Sequence, residues 1–103
     1  MKIIQKLSEY IKEEIDGAEN YAKKALKYRE EYPTLAKTLH DISIEEMKHI
    51  DLLHGEVVKL IEKYRREHGE PPASMLAVYD YLHEKQIEKS NEVKMYQNQY
   101  KSM

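Results

Sequence analysis

The chain has 103 residues, a length typical of a single domain, which would span residues 1–103. It carries 17 basic and 19 acidic side chains, for a formal net charge of -2. This near balance of charge argues against nucleic-acid binding, which usually requires a basic surface. Because the chain contains no cysteine, disulfides, thiolate-bound zinc, iron–sulfur clusters and thiol nucleophiles are excluded.

Two interruptions divide the sequence into three predicted helices. Pro33 interrupts the first helical pattern, and the segment 69–72 (Gly-Glu-Pro-Pro) interrupts the second. The remaining segments, about 3–31, 34–68 and 73–100, are rich in the helix formers Glu, Lys, Leu and Ala. We therefore expect an all-α protein in which the first two helices form a long antiparallel hairpin and the third packs beside it.

Each predicted helix carries a stripe of mainly apolar residues at a spacing of three or four, which is typical of a core-facing side. The stripes of the first two helices are regular, and that of the third is more polar. The members in chain order are Leu7, Ile11, Glu14, Ala18, Tyr21, Ala25, Tyr28; Leu35, Leu39, Ile42, Glu46, His49, Ile50, Leu53, Val57, Leu60, Tyr64; and Tyr79, Leu82, Gln86, Ser90, Val93, Tyr96, Tyr100.

Two carboxylates occupy the middle of these apolar stripes. Glu14 lies within the first and Glu46 within the second, and His49 follows Glu46 on the same side of its helix. In a hairpin that turns near Pro33, residue 14 lies opposite about residue 52, within about two turns of both. The three side chains are therefore expected to converge inside the apolar layer, where a carboxylate needs a cation or a partner.

Glu together with Glu-x-x-His is half of the ligand set of a di-iron carboxylate bundle. One hairpin supplies this half, and two hairpins related by a two-fold axis supply all six ligands and four helices. The sequence therefore predicts a homodimer as the smallest competent unit, with higher homo-oligomers as a further option. Carboxylate and imidazole ligands suit iron or manganese, and zinc is a further candidate.

Other interpretations of these residues stay open. Glu14 could pair with a lysine of another helix, His49 could be a hydrogen-bonded core histidine, and Tyr21 could be ordinary core. The same Asp/Glu-x-x-His spacing recurs in Asp51/His54, interpreted as a solvated flank or accessory site, and in Asp80/His83, interpreted as a surface or interhelical polar pair. A helical interaction protein without metal, whose stripes form an assembly seam, is the competing functional class.

Two segments carry a resemblance to a known family. Residues 13–21 (Glu-Glu-Ile-Asp-Gly-Ala-Glu-Asn-Tyr) resemble the first-helix motif of the ferritin-like superfamily, in which a ligand Glu is followed seven residues later by Tyr. Residues 45–49 (Glu-Glu-Met-Lys-His) resemble its Glu-x-x-His motif. The motif spacing and short chain are most similar to the encapsulated ferritins, whose dimers complete a four-helix bundle.

The resemblance covers about residues 5–68 and implies a ferroxidase, which oxidises Fe(II) with dioxygen or peroxide. It implies two irons per dimer site, held by Glu14, Glu46 and His49, with Tyr21 beside them. The acidic residues that relay iron toward the centre would be Glu13 and Asp16.

Several features depart from that family. Residues 96–103 lack the Gly-Ser-Leu-type tail that targets cargo to a protein compartment, and the third helix has no assured counterpart. A rubrerythrin-like peroxide-reducing di-iron protein is a further alternative, and without cysteine it would need an outside electron donor.

No apolar run reaches the roughly 20 residues that span a membrane, and no secretion signal is recognisable. A cytoplasmic location is therefore expected.

Overall fold

The computed structural model describes residues 2–102, which form three α-helices: α1 (Lys2–Tyr28), α2 (Pro33–His68) and α3 (Ala73–Ser102). No strand occurs within this range. The predicted all-α class is therefore confirmed. Within the same range, no helix combines the length and apolar character that spanning a bilayer requires.

The first helix ends three residues earlier than predicted. It stops at Tyr28 instead of residue 31, and Tyr32 donates its backbone N–H to the Tyr28 carbonyl at 2.8 Å. Proline disfavours a helical conformation in the residue before it, and Pro33 then begins α2, where its missing N–H costs nothing. At the other end of α2, Gly69 has φ 78° and donates its N–H to the Arg65 carbonyl, and the helix ends at His68 as predicted.

The helices run up, down and up. Contacts between Glu14 and His49, and between Ala18 and Ser43, show that α1 and α2 are antiparallel. The third helix runs back along the pair, with Tyr100 stacked on His40 near the α1–α2 turn. Helix α1 packs against both others, whereas α2 and α3 meet over a smaller area. The result is an elongated body of 56 × 19 × 18 Å.

The buried residues recur every seven positions. On α1 this line is Ile4, Ile11, Ala18 and Ala25, and on α2 it is Ala36, Ser43, Ile50 and Val57. Repeats of seven are typical of helices that cross at a shallow angle and interlock along their length. The alanines allow close approach near the α1–α2 turn, while the larger side chains fill the opposite half.

A buried polar chain links all three helices. Ser43, which is fully buried, donates its hydroxyl to the Ala18 carbonyl at 2.7 Å and accepts a hydrogen bond from Gln97 Nε2 at 2.8 Å. Paired polar groups of this kind specify one register because any slip leaves them unsatisfied. The contact therefore fixes α1 against α2 and anchors the end of α3.

We expect the protein to lose stability as the pH falls from about 7 to about 5, because His40 must become charged in a buried place. Its side chain is 7% exposed and stacks on Tyr100 with ring centroids 4.3 Å apart. Burial lowers the pKa of His40, Lys101 and Lys37 lower it further, and only Asp41 opposes them. A histidine with a lowered pKa in the folded state binds more protons when unfolded, so its contribution is complete above its unfolded pKa and is lost below it.

The measurement is the urea midpoint of metal-free protein across this pH range. His40→Phe should keep the ring stack and flatten the acid side of the profile, whereas the exposed His68→Gln should leave it unchanged. An unaltered pH profile for His40→Phe would contradict this interpretation.

Candidate metal centre

Three side chains with metal-binding atoms converge between α1 and α2. One donor atom each from Glu14, Glu46 and His49 lies within 4.8 Å of the other two, and His49 Nδ1 is 3.3 Å from Glu14 Oε2. The buried Ser43–Ala18 hydrogen bond lies about one turn away on both helices. The register that this bond fixes therefore places the carboxylate of α1 opposite the Glu-x-x-His pair of α2.

The sequence predicts that the cluster lies inside the apolar layer, but in the structure it does not. The Glu14 side chain is 30% exposed and that of His49 is 50% exposed, so within one chain the group lies at the edge of the hairpin. The reason is the position of α3, which contacts α2 through Ser43, His40 and His54. At about 3.6 residues per turn, the direction of His49 around the α2 axis differs from that of Ser43 by about a third of a turn. His49 is therefore on the side of α2 away from α3.

The hairpin side turned away from α3 combines this cluster with half-buried or exposed apolar residues, and we call it the open face. Helical spacing places the following residues on it: Ile3, Leu7, Tyr10, Glu14, Gly17 and Tyr21 of α1, and Leu35, Ile42, Glu46, His49, Leu53 and Leu60 of α2. The open face therefore runs along much of the hairpin, with the donor cluster near its middle.

The two carboxyl groups of the cluster lie close together, and their pKa values are shifted in opposite directions. The hydrogen bond with Glu46 lowers the pKa of Glu14, and His49 lowers it further, whereas burial opposes both. The same carboxyl–carboxyl contact, burial and the Glu14 charge raise the pKa of Glu46. Two carboxylates whose pKa values are moved apart in this way mark a place where a cation would relieve their repulsion.

Neither carboxylate of the cluster pairs with a lysine in the described part of the chain. Among the ion pairs between residues 2 and 102, none joins a lysine to Glu14 or Glu46, and the ion-pair partner of Glu14 is His49. The lysines near the middle of α1 pair instead with Asp16 and Glu19. The donor set is thus left to two carboxylates and an imidazole, which suits Fe(II), Mn(II) or Zn(II).

The structure separates the remaining predicted residues. Tyr21 is half-buried two turns beyond Glu14 on the open face, whereas Glu13 and Asp16 are exposed on other sides of α1. Asp16 pairs with Lys12 at 3.7 Å. Neither Asp51 nor His54 joins the donor cluster.

His54 instead belongs to an aromatic group between α2 and α3. Its ring stacks on His83 with centroids 4.6 Å apart, and its Nε2 is 3.4 Å from the Tyr79 hydroxyl. Burial is the largest cause of a lowered pKa at His54. His83 therefore forms the interhelical contact that was one of its two predicted roles.

No family model, curated protein or solved structure matches this chain. The chemical interpretation of the cluster therefore rests on its own geometry and on the two motifs. Two features near it were not expected from sequence: the buried hydrogen bond that fixes the register, and Gly17, which lies against the Glu46 carboxylate. The seven-residue spacing of Ser43 with Ala36, Ile50 and Val57 could have indicated that Ser43 is buried and needs a hydrogen-bond partner.

Proposed function

We propose that the protein is a di-iron carboxylate protein of the ferritin-like kind that binds and oxidises Fe(II), with its metal site completed across a homodimer. The observation that carries the proposal is the convergence of one Glu from α1 and a Glu-x-x-His pair from α2 within 4.8 Å. This is half of the ligand set that such bundles use.

The cluster by itself is too small a ligand set for two metal ions. Three side chains supply few donors, and the exposure of Glu14 and His49 leaves them accessible from outside the chain. A second copy placed against the open face would bring the same three residues from the opposite side. A two-fold axis through the cluster makes the contact self-complementary, as in most protein dimers.

The open face is large enough for such a dimer. The whole chain is 56 Å long, but α1 has 27 residues and spans about 40 Å, so the part that is two helices wide offers about 800 Å² on each chain. A standard interface buries about the same area, about 800 Å² per partner. Its apolar residues include Leu35, which is 46% exposed, and Ile42, which is half-buried. Pairing would cover these residues and remove bulk water from the metal site.

In the proposed reaction Fe(II) is the substrate. Two Fe(II) ions each give up one electron, and dioxygen takes both electrons with two protons to become hydrogen peroxide. Glu14, Glu46 and His49 would hold the ions, and the carboxylate charges would favour the more highly charged Fe(III) product. A bound cation would offset the repulsion between the Glu14 and Glu46 carboxylates, which raises the pKa of Glu46 in the metal-free chain.

The test is aerobic addition of Fe(II) to metal-free protein, followed by the near-ultraviolet absorbance of Fe(III). Wild type should oxidise iron faster than buffer, and Glu46→Ala should fall to the buffer rate because a ligand is lost. Glu45→Ala is the matched control, since Glu45 is exposed and pairs with Lys48 instead. Equal rates for wild type and Glu46→Ala would refute the proposal.

Two further measurements separate the competing functions. A helical assembly protein would form the same dimer with no stoichiometric iron, and chelation would not alter its melting. A peroxide-reducing di-iron protein would bind iron and turn over peroxide when supplied with a reductant. Metal content per dimer, in protein purified from metal-replete cells, distinguishes the helical assembly protein from both di-iron functions.

A further inference from the structure

Gly17 lies in the middle of α1, where glycine is an unfavourable choice. Glycine inside a helix costs about 0.5–1 kcal/mol relative to alanine. The backbone does not require it, because between residues 2 and 102 only Gly69 has a positive φ. What distinguishes this position is the space beside it.

That space belongs to the Glu46 carboxylate. A Cβ atom built on Gly17 would lie 3.6 Å from Glu46 Oε2 and 3.9 Å from its Cδ. On α1, Gly17 is one turn from Glu14 on one side and one turn from Tyr21 on the other, all on the open face. Gly17 is thus a notch in the helix surface, directly beside one of the proposed ligands.

We infer that Gly17 is a positioning residue that keeps the Glu46 carboxylate free to turn toward a bound divalent metal ion. This inference rests on the proposed function of the same site. A contact of 3.6 Å is an ordinary van der Waals distance, so alanine fits the chain as it stands. What a methyl group removes is the clearance beside Oε2, so the carboxylate has less room to reorient when a metal ion binds.

The effect on metal affinity should be large because a carboxylate that cannot reach its productive geometry contributes little as a ligand. Loss of a group that orients a metal ligand typically weakens metal affinity by about 10- to 100-fold, and we expect a misplaced Glu46 carboxylate to cost a similar factor. Gly17→Ala should therefore bind Fe(II) more weakly by this factor while its melting temperature rises. Since Gly17 also lies on the open face, molar mass should be measured on the same samples. Weaker Fe(II) binding with a higher melting temperature and the molar mass of wild type is not expected of a residue with a purely structural role.

The chain supplies a matched control in Gly55. This glycine lies inside α2, and a Cβ built on it would meet nothing within 4 Å. Gly55→Ala should raise the melting temperature in the same way and leave Fe(II) affinity unchanged. Gly17→Leu extends the series and should bind Fe(II) more weakly than Gly17→Ala.

The experiment measures anaerobic Fe(II) binding by competition with a coloured chelator, together with melting of the metal-free proteins, for wild type, Glu46→Gln and the three glycine variants. The expected order of affinity is wild type and Gly55→Ala, then Gly17→Ala, then Gly17→Leu. If wild type binds Fe(II), Glu46→Gln does not, and Gly17→Ala equals wild type, the inference is overturned while the proposed function stands. If wild type and Glu46→Gln bind Fe(II) alike, or wild type binds none, both are overturned.

Discussion

Leu35→Lys/Ile42→Lys should convert the protein to a monomer and abolish its rapid Fe(II) oxidation, although neither side chain is a proposed ligand. Both residues are on the open face, one or more turns from Glu46 on the turn side of α2. Lysine at these positions would place two positive charges on each half of a two-fold interface, where burial of unpaired charge is costly. The metal site would then be reduced to the three donors of a single chain.

Leu52→Lys is the control for this substitution. Leu52 is 71% exposed and follows Asp51 on the side of α2 away from both neighbouring helices. The added charge is of the same kind, but we expect an unchanged dimer and an unchanged rate. Molar mass by light scattering and Fe(II) oxidation should be measured on the same samples. A Leu35→Lys/Ile42→Lys monomer that oxidises Fe(II) as fast as wild type would show that one chain suffices.

Ser43→Ala should produce the largest loss of stability among the conservative substitutions, about 2 kcal/mol, because it removes the buried acceptor of the Gln97 amide. For a domain of this size that corresponds to a fall in melting temperature of about 8–16 °C. The measurement is thermal unfolding of metal-free protein in the presence of chelator, at one fixed concentration, since metal and association both add to apparent stability.

A double-substitution cycle identifies the cause of that loss. Gln97→Leu removes the partner of Ser43, and its own cost should overlap with that of Ser43→Ala. The double variant should therefore be more stable than the sum of the two single losses predicts. A strictly additive result, or a Ser43→Ala variant that melts with wild type, would show that the hydrogen bond does not fix the register.

The helices were predictable because their signals are local. Pro33 and the Gly69 turn are strong interruptions, and the second and third helices have almost the predicted bounds. The end of α1 was less well predicted because Arg29, Glu30 and Glu31 are themselves good helix formers, and their helical tendency is overridden by the proline beyond them.

The donor cluster was predictable in membership but not in burial. Glu14, Glu46 and His49 were identified by their places in the stripes, and the antiparallel register brings them together. Which side of a hairpin a third helix will cover depends on contacts distant in sequence. The apolar stripes could not distinguish the side packed against α3 from the side left open.

The buried contacts of α3 were missed for a related reason. Gln97 was not in the predicted stripe, and His40 was not singled out, yet both are buried. A polar residue in the core is recognisable only through its partner, here Ser43 for Gln97 and the Tyr100 ring for His40. Gln97 and Ser43 are 54 residues apart in the sequence, so no local pattern could reveal the pairing.

The rod-like shape of the chain affects how its association should be measured. Its radius of gyration is 16.6 Å, against about 13 Å for a compact protein of this length, so a monomer will elute early in gel filtration and resemble a dimer. Sedimentation velocity supplies a sharper criterion. Two rods joined side by side become broader without becoming longer, which lowers the frictional ratio, whereas end-to-end association raises it. The direction of that change distinguishes pairing through the open face from any association at the helix ends.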